Sequence, residues 1–292
     1  MIVDPLPVAW RFEAIGTAWR IDTREPLAPD VADAVTARID RFDRDWSRFR
    51  PDSLVSRIAT TPGPGRWTLP DDAPALLGFY RELYTATRGR VSPLVGRTLE
   101  ALGYDAAYRL RAADDIPPVP AWDDAIAWDG TTLETVRPVL VDVGAAGKGY
   151  LVDLVSDLLT EAGVAQHIVD ASGDLRTRGV PMRIALEHPL DPRKAVGVAE
   201  LPDGAFCASA TNRRAWGDGL HHVLDAATGM PVRGVLATWV IAPTALVADG
   251  LATALFVDPE GESPSRHGAH FARLFDDGRL ESSADFPGEV FL

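Results

Sequence analysis

An α+β fold is predicted for this chain, with mixed or antiparallel sheets flanked by helices. Strand-like runs at 166–169, 182–186, 195–201 and 235–242 follow one another with few helices between them, which departs from regular βαβ alternation. Amphipathic helical periods occur at 30–46, 72–87 and 151–159. With 292 residues, 46% of them hydrophobic and 24% charged, the chain can bury one large core or two modest ones.

Asp30 can cap a helix that carries Val31, Val35, Ile39, Phe42 and Trp46 on one face and ends near Pro51. A second helix is expected from Asp72 to Thr87, with Pro74 in its first turn and Gly89 beyond its end. Residues 111–129, with Pro117, Pro118 and Pro120, read as a loop excursion. Val139–Val143 reads as a short apolar strand, followed by a glycine-rich turn and a helix closed by Gly163. One domain is expected over 1–292, its core at about 12–260, with 261–292 as a C-terminal tail.

Charge and composition exclude several function classes. A net charge of -13 argues against nucleic acid as the main partner, which would require clustered Lys and Arg. Cys207 is the only cysteine, so an intramolecular disulfide or a multi-cysteine metal site is excluded, and it is expected to be buried. The first 19 residues contain Asp4, Pro5, Pro7, Arg11 and Glu13 and offer no apolar signal core. No transmembrane segment and a cytoplasmic location are therefore expected, since no later run is long enough to span a bilayer.

Three segments carry chemistry. In the helical run from Ala245 to Phe256, Asp249 and Thr253 stand four residues apart, so both oxygens project from one face. A carboxylate and a hydroxyl, with remaining positions left to water and phosphate, suit Mg²⁺; the alternative is a helix-terminal charge beside a threonine bonded to its own backbone. Gly144-Ala145-Ala146-Gly147-Lys148-Gly149 could present N–H groups, a helix dipole and the Lys148 charge to an anion, or be simply a tight turn between strand and helix. It matches neither a Walker A loop nor a Rossmann fingerprint. In Leu220–Gly229, His222 precedes Asp225 by three residues; a neutral imidazole could take a proton from an alcohol, with the carboxylate fixing its tautomer, or be structural. Its neighbour His221 is expected to be solvated and His222 to titrate near 6.5 if unperturbed. His267 and His270 alone make too few ligands for zinc.

The ordered segments Ser47–Ile58, Ser92-Pro93-Leu94-Val95-Gly96, Val141–Tyr150, Asp170–Gly179, His222–Asp225 with Thr228-Gly229, and Ala248–Thr253 together resemble the ApbE family of FAD:protein FMN transferases, over roughly residues 12–260. The resemblance implies a T-fold-like catalytic domain with FAD as substrate in a central cleft. It implies Mg²⁺-dependent transfer of FMN to a Thr or Ser hydroxyl of an acceptor protein, with release of AMP. Carried over by position, Ala145 (through its carbonyl), Asp249 and Thr253 would hold Mg²⁺. Ile15, Phe49, Arg90, Val91, Ser92, Asp142 and Lys148 would lie along FAD, and His222 would be the general base. The chain departs from the family pattern at Ser92 (usually Asp), Gly147 (commonly Ala), Ala210 (where a Ser-Gly pair is usual after Ser209) and Ala226 (usually Pro). An FAD pyrophosphatase, with water as acceptor, and a non-catalytic flavin-binding protein are the alternative readings.

Overall fold

The computed structural model describes residues 6–258, 261 and 264–291. They form two compact units that interleave along the chain. Unit 1 comprises Met1–Asp40, Ala146–Asn212 and Gly234–Leu292, and unit 2 comprises Arg41–Ala145 and Arg213–Arg233, each within the described residues.

Unit 1 is built on an eight-stranded sheet in the order Val8–Ala14, Thr17–Thr23, His167–Asp170, Asp174–Arg178, Gly204–Ala210, Val235–Ala242, His270–Phe275 and Leu280–Ser282. Each neighbouring pair is antiparallel, the expected arrangement when adjacent strands follow one another in sequence. A smaller antiparallel sheet joins Met182–Glu187, Ala195–Leu201 and Gly288–Val290. The two sheets share a core that includes Ile168, Leu175, Ile184, Leu186, Leu201, Phe206 and Trp239. Two helices, Gly147–Glu161 and Ala245–Ala254, pack against each other and against the main sheet. Leu151, Val155 and Leu159 are fully buried along the first, at the spacing of one helical face.

Unit 2 contains the helices Leu54–Thr60, Ala73–Ala86 and Gly96–Ala101 and a three-stranded antiparallel sheet of Gly65–Thr68, Thr132–Thr135 and Ile126–Trp128. Ser53 caps the first helix by accepting from the Ser56 N–H. A separate cluster of Leu99, Leu102, Tyr104, Trp216 and Leu224 packs one end of this unit. Two short ladders, Ala215–Trp216 with Leu220–His221 and Leu224–Asp225 with Met230–Pro231, bracket the histidine pair.

The two helices expected in the N-terminal part form as Pro29–Trp46, with Asp30 inside its first turn and not capping it, and Ala73–Ala86, and Gly163 adopts φ +83 after the helix Gly147–Glu161. Cys207 is buried. Three expectations need correction. Val139–Val143 is not a strand: Val139, Leu140 and Val141 are buried, but the main-chain bond recorded here runs from Asp142 N to the Pro93 carbonyl at 2.7 Å. The excursion at 111–129 ends early, because Trp122–Ala125 is a helical turn and Ile126–Trp128 a strand, both anchored by buried apolar side chains. The segment 261–292 is more than a tail: buried Phe271, Ala272 and Leu274 draw His270–Phe275 into the main sheet, where His270 pairs with Asp285 at 3.2 Å.

Gly149 is the contact point of the two helices in unit 1. A Cβ there would sit 2.2 Å from the Ala245 carbonyl oxygen and 2.6 Å from the Asp249 Cβ. Neither neighbour is a flexible side-chain end, so Gly149→Ala should destabilise the protein by about 1–3 kcal/mol or more through overpacking. Gly78→Ala, mid-helix with its nearest new contact at an ordinary 3.9 Å, should instead stabilise by up to about 1 kcal/mol. Denaturant unfolding of the two variants, with opposite signs expected, checks the assignment.

Candidate active site

In unit 1 the site residues converge where the helix Gly147–Glu161 meets Ala245–Ala254. Thr244 caps the latter, accepting from the Val247 N–H at 3.4 Å. Asp153 accepts from the Ala245 and Leu246 N–H groups at 2.9 and 2.8 Å and pairs with the buried Arg176. Burial pushes the Asp153 carboxyl up, while Arg176 and the two N–H groups pull it down. One turn further, Asp249 is buried and its Oδ2 accepts from the Gly149 N–H at 2.9 Å. Thr253 follows on the same face and is partly exposed.

Lys148 lies beside this helix face. Its ammonium donates to the Ala171 carbonyl at 2.8 Å and pairs with the buried Asp174 at 2.7 Å. Burial pulls its pKa down, but the fields of Asp174 and Asp249 outweigh burial and leave it above the ordinary value. Ile15 stands at the turn of the hairpin Val8–Thr23 with φ +46, a left-handed conformation rare for a β-branched residue. Ser172, itself at φ +55, ties that hairpin to the turn after Asp170 by donating to the Ala18 carbonyl at 2.9 Å.

Several donors of the glycine-rich turn are engaged within the protein. Gly149 N donates to Asp249, Gly144 N to Asp142 Oδ1 at 2.7 Å, Ala145 N to the Tyr80 hydroxyl at 3.0 Å and Tyr150 N to the Ala146 carbonyl at 3.0 Å. The turn spends these N–H groups on fixing its own side chains and neighbours. The donors expected to face an anion are to that extent internal, and Lys148 is already ion-paired.

Unit 2 gathers the other site residues. Asp142 is paired with Arg48, whose guanidinium lies 4.2 Å from the Phe49 ring centre and 4.8 Å from that of Tyr104. Tyr104 is buried and reaches His222 with ring centres 6.4 Å apart. Ser92 is buried; its hydroxyl accepts from Leu94 N at 3.2 Å and caps the turn Pro93–Val95. Val91 is buried, with its N–H bonded to the Thr87 hydroxyl at 3.0 Å. Arg90 donates to Asp225 Oδ2 from Nε and Nη2 at 3.0 and 2.8 Å, and its carbonyl accepts from Ala226 N at 2.9 Å. The Ala145 peptide is oriented by its bond to Tyr80, which is fully buried.

Two expectations about the histidine segment are corrected. Asp225 is occupied by Arg90 and by Ala227 N at 3.0 Å, and the carboxylate whose field supports the His222 cation is Asp142. Burial, then Arg214 and His221, lower the His222 pKa to about 4, so the ring is neutral far below 6.5. His221 is not solvated: it is buried, hydrogen-bonded to the Val232 carbonyl at 3.0 Å, and lowered in pKa by burial.

Sequence reasoning missed Arg48, Tyr80, Asp153 and Asp174. The first two act across 94 and 65 positions of chain, and no local spacing signals such a partner. Asp153 and Asp174 stand in segments already singled out, but their roles depend on packing between elements.

Comparisons with known proteins place the whole chain. Residues 15–267 match the ApbE family. A Rhodobacter capsulatus protein named FAD:protein FMN transferase is 27% identical over 96% of this chain, which spans 58% of that relative's length. A Vibrio cholerae protein of the same name is 29% identical over 78% of this chain and 75% of its own. The crystal structure of an ApbE protein from Thermotoga maritima superposes with a TM-score of 0.83 at 25% identity, covering 97% of this chain and 99% of the other. The flavin transferase ApbE of Vibrio cholerae gives a TM-score of 0.81 at 24% identity, covering 96% and 97%, and so shares the fold. With most of its length matched, this chain belongs to the ApbE family.

Proposed function

We propose that this chain transfers FMN from FAD to a Thr or Ser hydroxyl of an acceptor protein and releases AMP. The observation that carries this reading is the pair of hard oxygens, Asp249 and Thr253, on one face of a helix whose position is set by Gly149 and Asp153. A carboxylate and a hydroxyl as the protein ligands would suit Mg²⁺ better than a softer ion. The family pattern adds the Ala145 carbonyl. Mg²⁺ bound there would neutralise charge on the FAD pyrophosphate.

The chain's own residues do the rest. Asp249 keeps one oxygen on Gly149 N, which holds the carboxylate in place. Lys148 contributes a cation held by Asp174 beside Asp249. Along the flavin, Phe49 and Asp142 would meet the ring, with Arg90, Val91, Ser92 and Ile15 as further contacts. His222 would take the proton of the acceptor hydroxyl as that oxygen attacks the FMN phosphorus and the bond to AMP breaks. Burial then favours early loss of that proton from the imidazolium. No helix among the described residues is long and apolar enough to cross a membrane.

Asp249→Ala should leave the chain folded while removing FAD cleavage at limiting Mg²⁺. Melting curves with FAD, with and without Mg²⁺, supply a second readout: wild type should gain stability by mass action, and the variant should lose the Mg²⁺-dependent part. Wild-type cleavage in the variant would place the metal elsewhere.

The pH dependence separates the two histidines. Because the His222 pKa is lowered to about 4, kcat/KM should stay level through pH 6.5 and fall only on approach to about 4. His222→Gln should keep FAD binding and lose about 10²- to 10⁴-fold in transfer. His221→Ala should act differently, lowering Tm because the Val232 carbonyl loses its partner. A wild-type rate that halves at pH 6.5 would assign the base to another group.

A further inference from the structure

The Arg48 guanidinium occupies an unusual position in unit 2. It is 2% exposed, and it makes three kinds of contact at once. Nε pairs with Asp142 Oδ2, Nη1 donates to the Tyr104 carbonyl at 2.8 Å, and its flat face lies over the Phe49 and Tyr104 rings. Asp142 Oδ1 is held on the other side by Gly144 N. The plane of the carboxylate is thus fixed from both ends, and the same guanidinium fixes the Phe49 ring.

The cluster also contains polar atoms that the protein leaves unpaired. Arg48 Nη2 and Tyr104 Oη are both buried without a hydrogen-bond partner. With His222 Nδ1, also unpartnered beside the Tyr104 ring, they are polar atoms that a ligand in this cluster could meet. A planar heteroaromatic ring carrying an N–H beside carbonyl oxygens fits this set. Its N–H suits the Asp142 carboxylate and its carbonyls suit the orphan donors; Phe49, already stacked on Tyr108 with ring centres 5.5 Å apart and covered by Arg48, borders the ring without stacking on it. Adenine has a planar face as well, but it offers no carbonyl.

We propose that Arg48 is a specificity-determining positioning residue for the isoalloxazine ring, holding Asp142 as the acceptor for the ring N–H. This inference rests on the flavin-transfer reading above. It adds a residue whose effect should be confined to the flavin end of FAD and absent from the adenylate end.

Calorimetric titration of wild type, Arg48→Met and Arg48→Lys with FAD, FMN and ADP tests it, with Tm measured for each variant. Loss of a charge-assisted arrangement of this kind should weaken FAD and FMN alike by about 10- to 100-fold in Arg48→Met and leave ADP within about twofold. Arg48→Lys keeps the charge without the planar fork, so it should recover only part of the FMN affinity. Should Arg48→Met fail to fold, Arg48→Lys alone decides by its FMN-to-ADP ratio. Equal weakening of ADP and FMN, or wild-type FMN binding in both variants, would overturn the role of Arg48 while leaving the flavin reading intact. A wild-type protein that binds neither FAD nor FMN would overturn the flavin reading, and this inference with it.

Discussion

The close approach of the helices Gly147–Glu161 and Ala245–Ala254 is the constraint on which the rest of unit 1 depends. It exists because position 149 has no side chain, since any Cβ would run into the Ala245 carbonyl. With the backbones in contact, Gly149 N reaches Asp249, and four residues later in the first helix Asp153 reaches the amide groups that open the second. The second helix is thereby held at its N-terminus and one turn in by side-chain bonds to main-chain donors. Arg176, on the sheet strand Asp174–Arg178, secures Asp153 in turn. The placement of Asp249 and Thr253 follows from this chain of contacts, and Asp249 has little freedom to move.

Unit 2 solves a different problem, which is to hold a segment of little regular structure. Beyond the 3-10 turn that ends at Arg214, the chain from 215 to 233 contains only two-residue strands, so its geometry comes from bonds to other elements. Arg90 grips it through Asp225 and Ala226, Trp216 donates to the Leu102 carbonyl at 3.0 Å, and His221 is tied to Val232 within the segment. His222 is left against Tyr104, partly buried and neutral. The adjacent histidines are therefore held differently: His221 is tied into the structure, and His222 is the one proposed as the base.

What could be read from sequence divides along the same line. Helix limits were legible because their signals are local: Pro74 in a first turn, Gly89 and Gly163 beyond last turns, apolar residues at helical spacing. That Asp249 and Thr253 share one helix was legible for the same reason. Partners were not legible where they depend on distant chain. Asp225 sits three residues from His222, which suggests a dyad, yet Arg90 captures it from 135 positions away. Val139–Val143 has the composition of a strand, but burial alone does not make a ladder, and it packs instead as a buried extended segment. The histidine pKa could not be read at all, because it is set by burial and by Arg214.

The charge balance around Lys148 gives the last step. A pyrophosphate needs positive charge, and this chain is acidic overall at -13. In unit 1 the partly exposed Lys148 is already matched by the buried Asp174, while Asp249 adds a further carboxylate whose field it feels. One ammonium between two buried carboxylates leaves no surplus positive charge for a phosphate. An anionic substrate would be repelled from such a cluster unless a divalent cation joined it, and Asp249 with Thr253 offers the oxygens that would hold one. On the proposed reading Lys148 would keep two nearby carboxylates compatible with each other, and the metal, more than the lysine, would carry the charge that meets the pyrophosphate.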